Sequence, residues 1–192
     1  MNRRKALGNI SKGIGTVIVT PTIVSIFQRC QSSKTFNPTF FKAEDFNLIS
    51  RLMEIIIPKT DIPGAMELKL PEFVDSYIDA VWDKKSKENI NKSLQFFKDE
   101  AKIKFGQKPI RDLTNDDLDQ LLSKFLKSKD VNSDKEKIAA SFTIELRNLT
   151  IDAFRTNEYI GENVLAYLPV PGKNVGCVDL EEATGGKAWS LQ

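Results

Sequence analysis

Apolar residues recur along this chain mostly every third or fourth position, so the pattern reads as helix. In KAEDFNLISRLMEIII, from Lys42, residues Phe46, Ile49, Leu52, Met53 and Ile56 fall on one helical face, and Pro58 ends the run. KTDIPGA, residues 59–65, collects the turn formers Asp61, Pro63 and Gly64. Pro71 then sits as a first helical residue, opening a second helix whose apolar face is Phe73, Val74, Tyr77, Ile78, Val81 and Trp82. A third helix is expected over about 86–104, with Leu94, Phe97, Ala101 and Phe105 inward and Gly106 just past its end.

Two capping boxes announce the next helices. TNDD, residues 114–117, opens a fourth carrying Leu118, Leu121, Leu122 and Phe125. SDKE, residues 133–136, opens a fifth that runs to about Phe154. Ile138, Phe142, Ile144, Leu146 and Leu149 make the fifth apolar almost all round, which predicts a central position. After Arg155 the chain turns loop-like, with one short helix near 158–166 and at most a short strand in NVGCVDL. No segment alternates with period two for long, and no internal repeat is present. The expectation is an all-α fold: a single compact domain of five to six helices over 39–192, with a loop-rich C-terminal segment.

The first thirty residues differ in kind. MNRRKALGNISKGIGTVIVTPTIVSIFQRC has a basic start, then an apolar run from Ile14 to Phe27 that is short for a bilayer span of roughly 30 Å but fits an export signal. Arg3-Arg4 followed by Ala6-Leu7 resembles a twin-arginine leader, the kind that carries folded cargo; an uncleaved membrane anchor is the alternative. Cys30 ends the apolar run ahead of polar QSSKT, as in a lipoprotein whose cysteine takes the lipid, although Phe27-Gln28-Arg29 is a poor lipobox. The division expected is a leader over 1–30, a tether over 31–38 and the helical domain after it. An ordinary cysteine near a cleavage site is the competing reading of Cys30.

Charge changes the picture once the leader is set aside. The 192-residue chain carries 28 bases and 26 acids, but Arg3, Arg4, Lys5, Lys12 and Arg29 lie in the acid-free first 29 residues. The remaining 23 bases and 26 acids describe a mildly acidic domain with no nucleic-acid footprint.

The chemistry available is narrow. Zero histidine excludes a Ser-His-Asp triad, a histidine base and a histidine-bound zinc or haem within the chain. Two distant cysteines exclude a four-cysteine iron–sulfur cluster. No Gly-x-Gly-x-x-Gly follows a strand. DVNSDKEKIAAS, residues 130–141, begins like a calcium loop but has Lys135 and Ser141 where glycine and a bidentate glutamate belong, and reads better as a helix cap. Asp116-Asp117 and Glu181-Glu182 read as solvated charges. Asp61 and Glu72 are the carboxylates on which an enzyme reading would have to rest.

The stretches MEIIIPKTDIPGAMELKLPEFVDSYI and NLTIDAFRTNEYIGENVLAYLPVPGKNVGCVDL carry a family likeness. Pro58, Thr60, Asp61, Pro63, Gly64 and Pro71, with Tyr167, Pro169, Val170, Pro171, Gly172, Gly176 and Cys177, resemble the gluconate 2-dehydrogenase subunit 3 family, the small or gamma subunits of bacterial membrane-associated sugar dehydrogenases. Ala153 departs from the glycine usual in the family.

The resemblance implies a non-catalytic subunit with no cofactor of its own. FAD and the sugar chemistry would belong to a large flavoprotein of the glucose–methanol–choline type, and a cytochrome often takes the electrons. The small subunit would carry the export signal for both chains and stay in the periplasm, associated with the membrane through its leader or lipid. A free-standing periplasmic lipoprotein that binds another partner is the alternative.

On that footing the proline-stiffened loops around Asp61 and Pro63, and around Tyr167, Pro169, Pro171, Gly172, Lys173 and Cys177, are expected at the partner interface. For Cys177 two readings stand: a disulfide to a cysteine of the flavoprotein, in keeping with an oxidising compartment, or a buried apolar residue.

Overall fold

The computed structural model describes residues 36–127, 133–167 and 177–189. The chain divides between Phe36 and Asn37 into two compact units, and all the elements below belong to the second. It is all-α as expected. In order come α1 (Ala43–Ile56), α2 (Leu70–Val81), α3 (Lys84–Lys104), a 3-10 turn (Ile110–Asp112), α4 (Asn115–Lys127), α5 (Asp134–Thr156), a π turn (Ile160–Val164) and α6 (Leu180–Thr184).

The helix ends follow the chemistry of their side chains. Asp83 accepts from the Ser86 amide at 2.8 Å and opens α3. Thr114 and Asp117 bond reciprocally at 3.0 and 3.1 Å, and Ser133 and Glu136 do the same at 3.1 and 3.2 Å, so both capping boxes form. At the other end of α3, Gly106 takes φ 66° and the Gln107 amide reaches back to the Lys102 carbonyl at 2.8 Å, closing the helix with a left-handed cap.

The central element is α5, which packs against α1, α2, α3, α4 and the π turn. Its position is as the sequence indicated, but its faces are not. Ile144 is exposed, and the buried face alternates large and small residues: Ala139, Ala140, Phe142, Thr143, Leu146, Thr150 and Ala153. Small residues let neighbouring helices approach. The two threonine hydroxyls cost little in the core because each donates to its own helix, Thr143 to the Ala139 carbonyl at 3.0 Å and Thr150 to that of Leu146 at 2.6 Å. Phe142 meets Phe97 of α3 with ring centroids 5.2 Å apart, and Phe97 meets Phe125 of α4 at 6.1 Å. Leu52 and Met53 of α1 and Ile78 of α2 complete this core.

The second helix shows a larger departure. Of its expected apolar face only Val74 and Ile78 are buried; Trp82 is half-buried, and Phe73, Tyr77 and Val81 lie on the surface. The place opposite the core that apolar periodicity assigned to them is taken by Leu70, Pro71 and Asp75.

Past α5, Cys177 to Asp179 form no strand, and the acidic pair Glu181-Glu182 belongs to the first turn of α6 rather than to a tail. Asp179 caps that turn by accepting from both glutamate amides, at 2.9 and 3.4 Å. A β-bridge pairs Ala166 with Trp189, the Ala166 amide donating to the Ala188 carbonyl at 2.8 Å.

Candidate functional site

The end of α5 is tied to the chain just past the first turn, and Tyr167, where the second turn segment begins, shares a cavity with that end. Leu68, just beyond the first turn, accepts at 3.5 Å from the side-chain amide of Asn157, which follows α5. Asn157 and Tyr167 in turn line one shallow cavity of ≈ 280 Å³ with Arg155, Thr156, Glu158, Gly161 and Glu162. The chain just ahead of α2 is therefore tied to the end of α5, and Tyr167 is exposed beside that end. Pro169, Pro171, Gly172 and Lys173 lie outside the described residues, as do Arg3, Arg4 and Cys30.

The first turn owes its shape to a residue that apolar patterning does not reveal. Glu54, near the end of α1, accepts from the Lys59 amide at 3.3 Å with one carboxylate oxygen and from the Met66 amide at 2.8 Å with the other. Those two bonds span the turn from entry to exit. Inside it the Thr60 amide bonds the Ile62 carbonyl at 3.0 Å, and the Ala65 amide bonds that of Ile57 at 2.9 Å. Gly64 is required by proximity: a Cβ there would lie 2.5 Å from the Glu54 carboxylate and 2.7 Å from the Lys59 nitrogen. Glu67 bonds Lys59 at 2.9 Å and holds its ammonium pKa above the ordinary value, although both side chains are well exposed. This framework presents Asp61 exposed and Pro63 half-buried at the turn's tip. No hydrogen bond joins Asp61 to Glu72.

Asp75 is the second residue missed. It lies on α2 with no exposed surface, yet among the described residues no lysine or arginine bonds it. Its carboxylate instead gathers the chain just ahead of α1. One oxygen accepts from the Thr39 amide at 2.6 Å and the Thr39 hydroxyl at 3.0 Å, and the other from the Phe41 amide at 2.9 Å. The Phe40 amide is shared between both oxygens at 3.2 and 3.3 Å. This carboxylate supplies the acceptors for three successive backbone amides just ahead of the Lys42 N-cap of α1. A lone acid two residues from an aromatic on an amphipathic helix looks solvent-facing in sequence; only the bend at 39–41, which turns three amides toward it, reveals its role.

A cleft of ≈ 730 Å³ runs between α1, α3 and the 3-10 turn and carries Arg51, Lys98, Lys102 and Arg111 beside Glu44 and Asp45. Its cations are largely committed to the fold. Arg51 donates to the Leu113 carbonyl at 2.5 Å and the Asn115 side chain at 2.9 Å, and Lys98 bonds Asp45 at 2.7 Å. These bonds hold α1 to the segment leading into α4 and to α3.

Cys177 is exposed, with its thiol free in this chain. The reading of it as a buried apolar residue is therefore corrected: Cys177 lies at the surface. Among the described residues no helix is long and apolar enough to cross a membrane.

Compared with known proteins, residues 43–172 match the family model described as gluconate 2-dehydrogenase subunit 3. No curated protein matches the chain, and no solved structure does.

Proposed function

The chain belongs to the gluconate 2-dehydrogenase subunit 3 family, a component of a gluconate 2-dehydrogenase complex, and on that premise we propose that it is the non-catalytic small subunit of an exported, FAD-dependent sugar dehydrogenase. The observation that carries this reading is the family match across 43–172, which takes in the first turn segment, the second as far as Gly172, and every helix from α1 to α5. FAD belongs to the large flavoprotein of the glucose–methanol–choline type, which oxidises the sugar, and a cytochrome receives the electrons. This chain binds no cofactor of its own. The absence of histidine from the whole sequence supports that division of labour, because neither an imidazole base nor an imidazole ligand is available.

In this proposal the leader serves both chains. Arg3-Arg4 directs folded cargo out of the cytoplasm, the flavoprotein travels bound to this subunit, and lipid on Cys30 holds the assembly at the periplasmic face of the membrane. Exposed Tyr167 near the end of α5 and exposed Asp61 on the turn before α2 support an interface that uses both. Turns braced by proline and by Glu54 lose little freedom on docking. The exposure of the Cys177 thiol supports a disulfide to a cysteine of the flavoprotein in an oxidising compartment.

Replacing Arg3 and Arg4 together by lysine tests the export role. Both chains should then remain in the cytoplasm; a flavoprotein that still reached the periplasm would refute the escort. The disulfide is tested by mass spectrometry of the non-reduced complex, where a linked peptide containing Cys177 is expected. A freely alkylated Cys177 in the oxidised complex would exclude it.

A further inference from the structure

The exposed side of α2 carries an apolar row that the two turn segments do not account for. Phe73, Tyr77 and Val81 stand four residues apart on one helical face and are 51%, 38% and 61% exposed. The rings of Phe73 and Tyr77 stack, with centroids 6.0 Å apart and planes 16° from parallel. Isolated surface apolar residues are ordinary, but a contiguous row of two stacked aromatics and a branched aliphatic is the composition of an interface centre. The row also runs into a defined feature. Val81 lines an open cleft of ≈ 480 Å³ with Trp82, Asp83, Ser141 and Glu145.

We infer that the outer face of α2, from Phe73 through Tyr77 to Val81 and the cleft beyond it, is a docking surface for the large flavoprotein subunit, which meets it with an apolar patch and a neighbouring arginine or lysine that enters the cleft.

The inference rests on the reading of this chain as a subunit, and charge selects the occupant. The cleft has two carboxylates, Asp83 and Glu145, and neither arginine nor lysine among its lining residues. The Ser86 hydroxyl and amide hold the Asp83 carboxyl below its ordinary pKa, so the lining of the cleft is anionic near neutral pH. A second copy joined through a two-fold axis would bring the same patch against itself and set these carboxylates together. An anionic lipid surface would be repelled for the same reason. A different chain offering a cation beside an apolar anchor satisfies both halves of the surface. The row starts at Phe73, three residues into α2, close to the turn held by Glu54, so one partner can cover both.

The experiment uses the full chain, produced with its flavoprotein and isolated from membranes, with a benzophenone amino acid at position 77 and, as control, at position 103, where Ile103 is exposed on α3. A cross-link from position 77 to a flavoprotein peptide, absent from position 103, is expected. Cross-linking to a second copy, to lipid or to nothing while the flavoprotein co-isolates would overturn this inference and leave the subunit assignment standing. If the unmodified chain and the flavoprotein do not co-isolate at all, the assembly reading fails and this inference with it.

In parallel, Phe73→Ser combined with Tyr77→Ser should weaken the isolated complex at least about tenfold in Kd without lowering the melting temperature of the free chain, because neither ring is in the core. Glu145→Lys should weaken it severalfold and make the remaining binding less sensitive to salt. Unchanged affinity in both variants would overturn the inference.

Discussion

Replacing Asp75 by asparagine changes one atom's chemistry at the point where the chain enters the helical domain. One carboxylate oxygen serves the Thr39 amide and hydroxyl, the other the Phe41 amide, and the Phe40 amide leans on both. Asparagine keeps one acceptor and turns the other into an N–H₂ group pointed at a donor. A hydrogen bond to a charged acceptor contributes about 1.5–3 kcal/mol net, and a buried donor left unmade costs about 1–3 kcal/mol. The site has no exposed surface through which water could compensate. Asp75→Asn should therefore destabilise the chain by about 3–5 kcal/mol, against a total of about 5–15 kcal/mol for an ordinary domain. With a urea slope of about 2 kcal/mol/M, the unfolding midpoint falls by about 1.5–2.5 M. Thr39→Val removes only the hydroxyl donor and should cost about 1 kcal/mol in the native background but much less in the Asp75→Asn background. Urea denaturation followed by circular dichroism reads all four corners of this cycle. An Asp75→Asn variant within about 0.5 kcal/mol of the parent, or strictly additive effects, would refute the latch.

Gly64→Ala should destabilise by about 1–3 kcal/mol, since its Cβ meets the Glu54 carboxylate at 2.5 Å and the Lys59 backbone nitrogen at 2.7 Å; thermal unfolding checks it, and an unchanged melting temperature would contradict the turn geometry. Phe142→Ala, which empties the space beside Phe97, should cost about 3–5 kcal/mol in urea unfolding. Hydrogen bonds from Ser86 and Thr114 hold the Asp83 and Asp117 carboxyls below their ordinary pKa of 3.8. Their contribution is therefore fully present above that value and disappears as pH falls through the lower folded-state pKa. Asp83→Asn with Asp117→Asn should lessen the loss of stability between about pH 5 and pH 2, measured by urea midpoints across that range.

The helices were legible because their signals are local. Apolar spacing, Pro58, Gly106 and the two capping boxes each act within a turn or two of where they stand, and α1, α3, α4 and α5 follow them closely. The motif residues around Asp61 and Tyr167 likewise carried the family before any fold was known. What stayed hidden depends on contacts between distant segments. Nothing near Asp75 announces that the amides of Thr39, Phe40 and Phe41 will come to it, and nothing near Glu54 announces that it will bracket a turn reaching Met66. Apolar periodicity also cannot tell a core face from an interface face. On α2 it merged Val74 and Ile78, which are buried, with Phe73, Tyr77 and Val81, which are not. On α5 it counted Ile144 as core while the small residues that admit neighbouring helices carried no apolar weight. The short α6 escaped notice because its Asp179 cap precedes only five helical residues.

The central claim is that this chain works as a small subunit bound to a flavoprotein and has no flavin chemistry of its own. Isolation of the full chain from native membranes, followed by intact mass analysis and flavin quantification of each separated chain, tests it most directly. The account predicts a large flavoprotein in fixed stoichiometry with this chain, with all FAD and all sugar-oxidising activity on the large chain. Isolation of this chain alone, or stoichiometric FAD on it after the large chain is removed, would contradict the account.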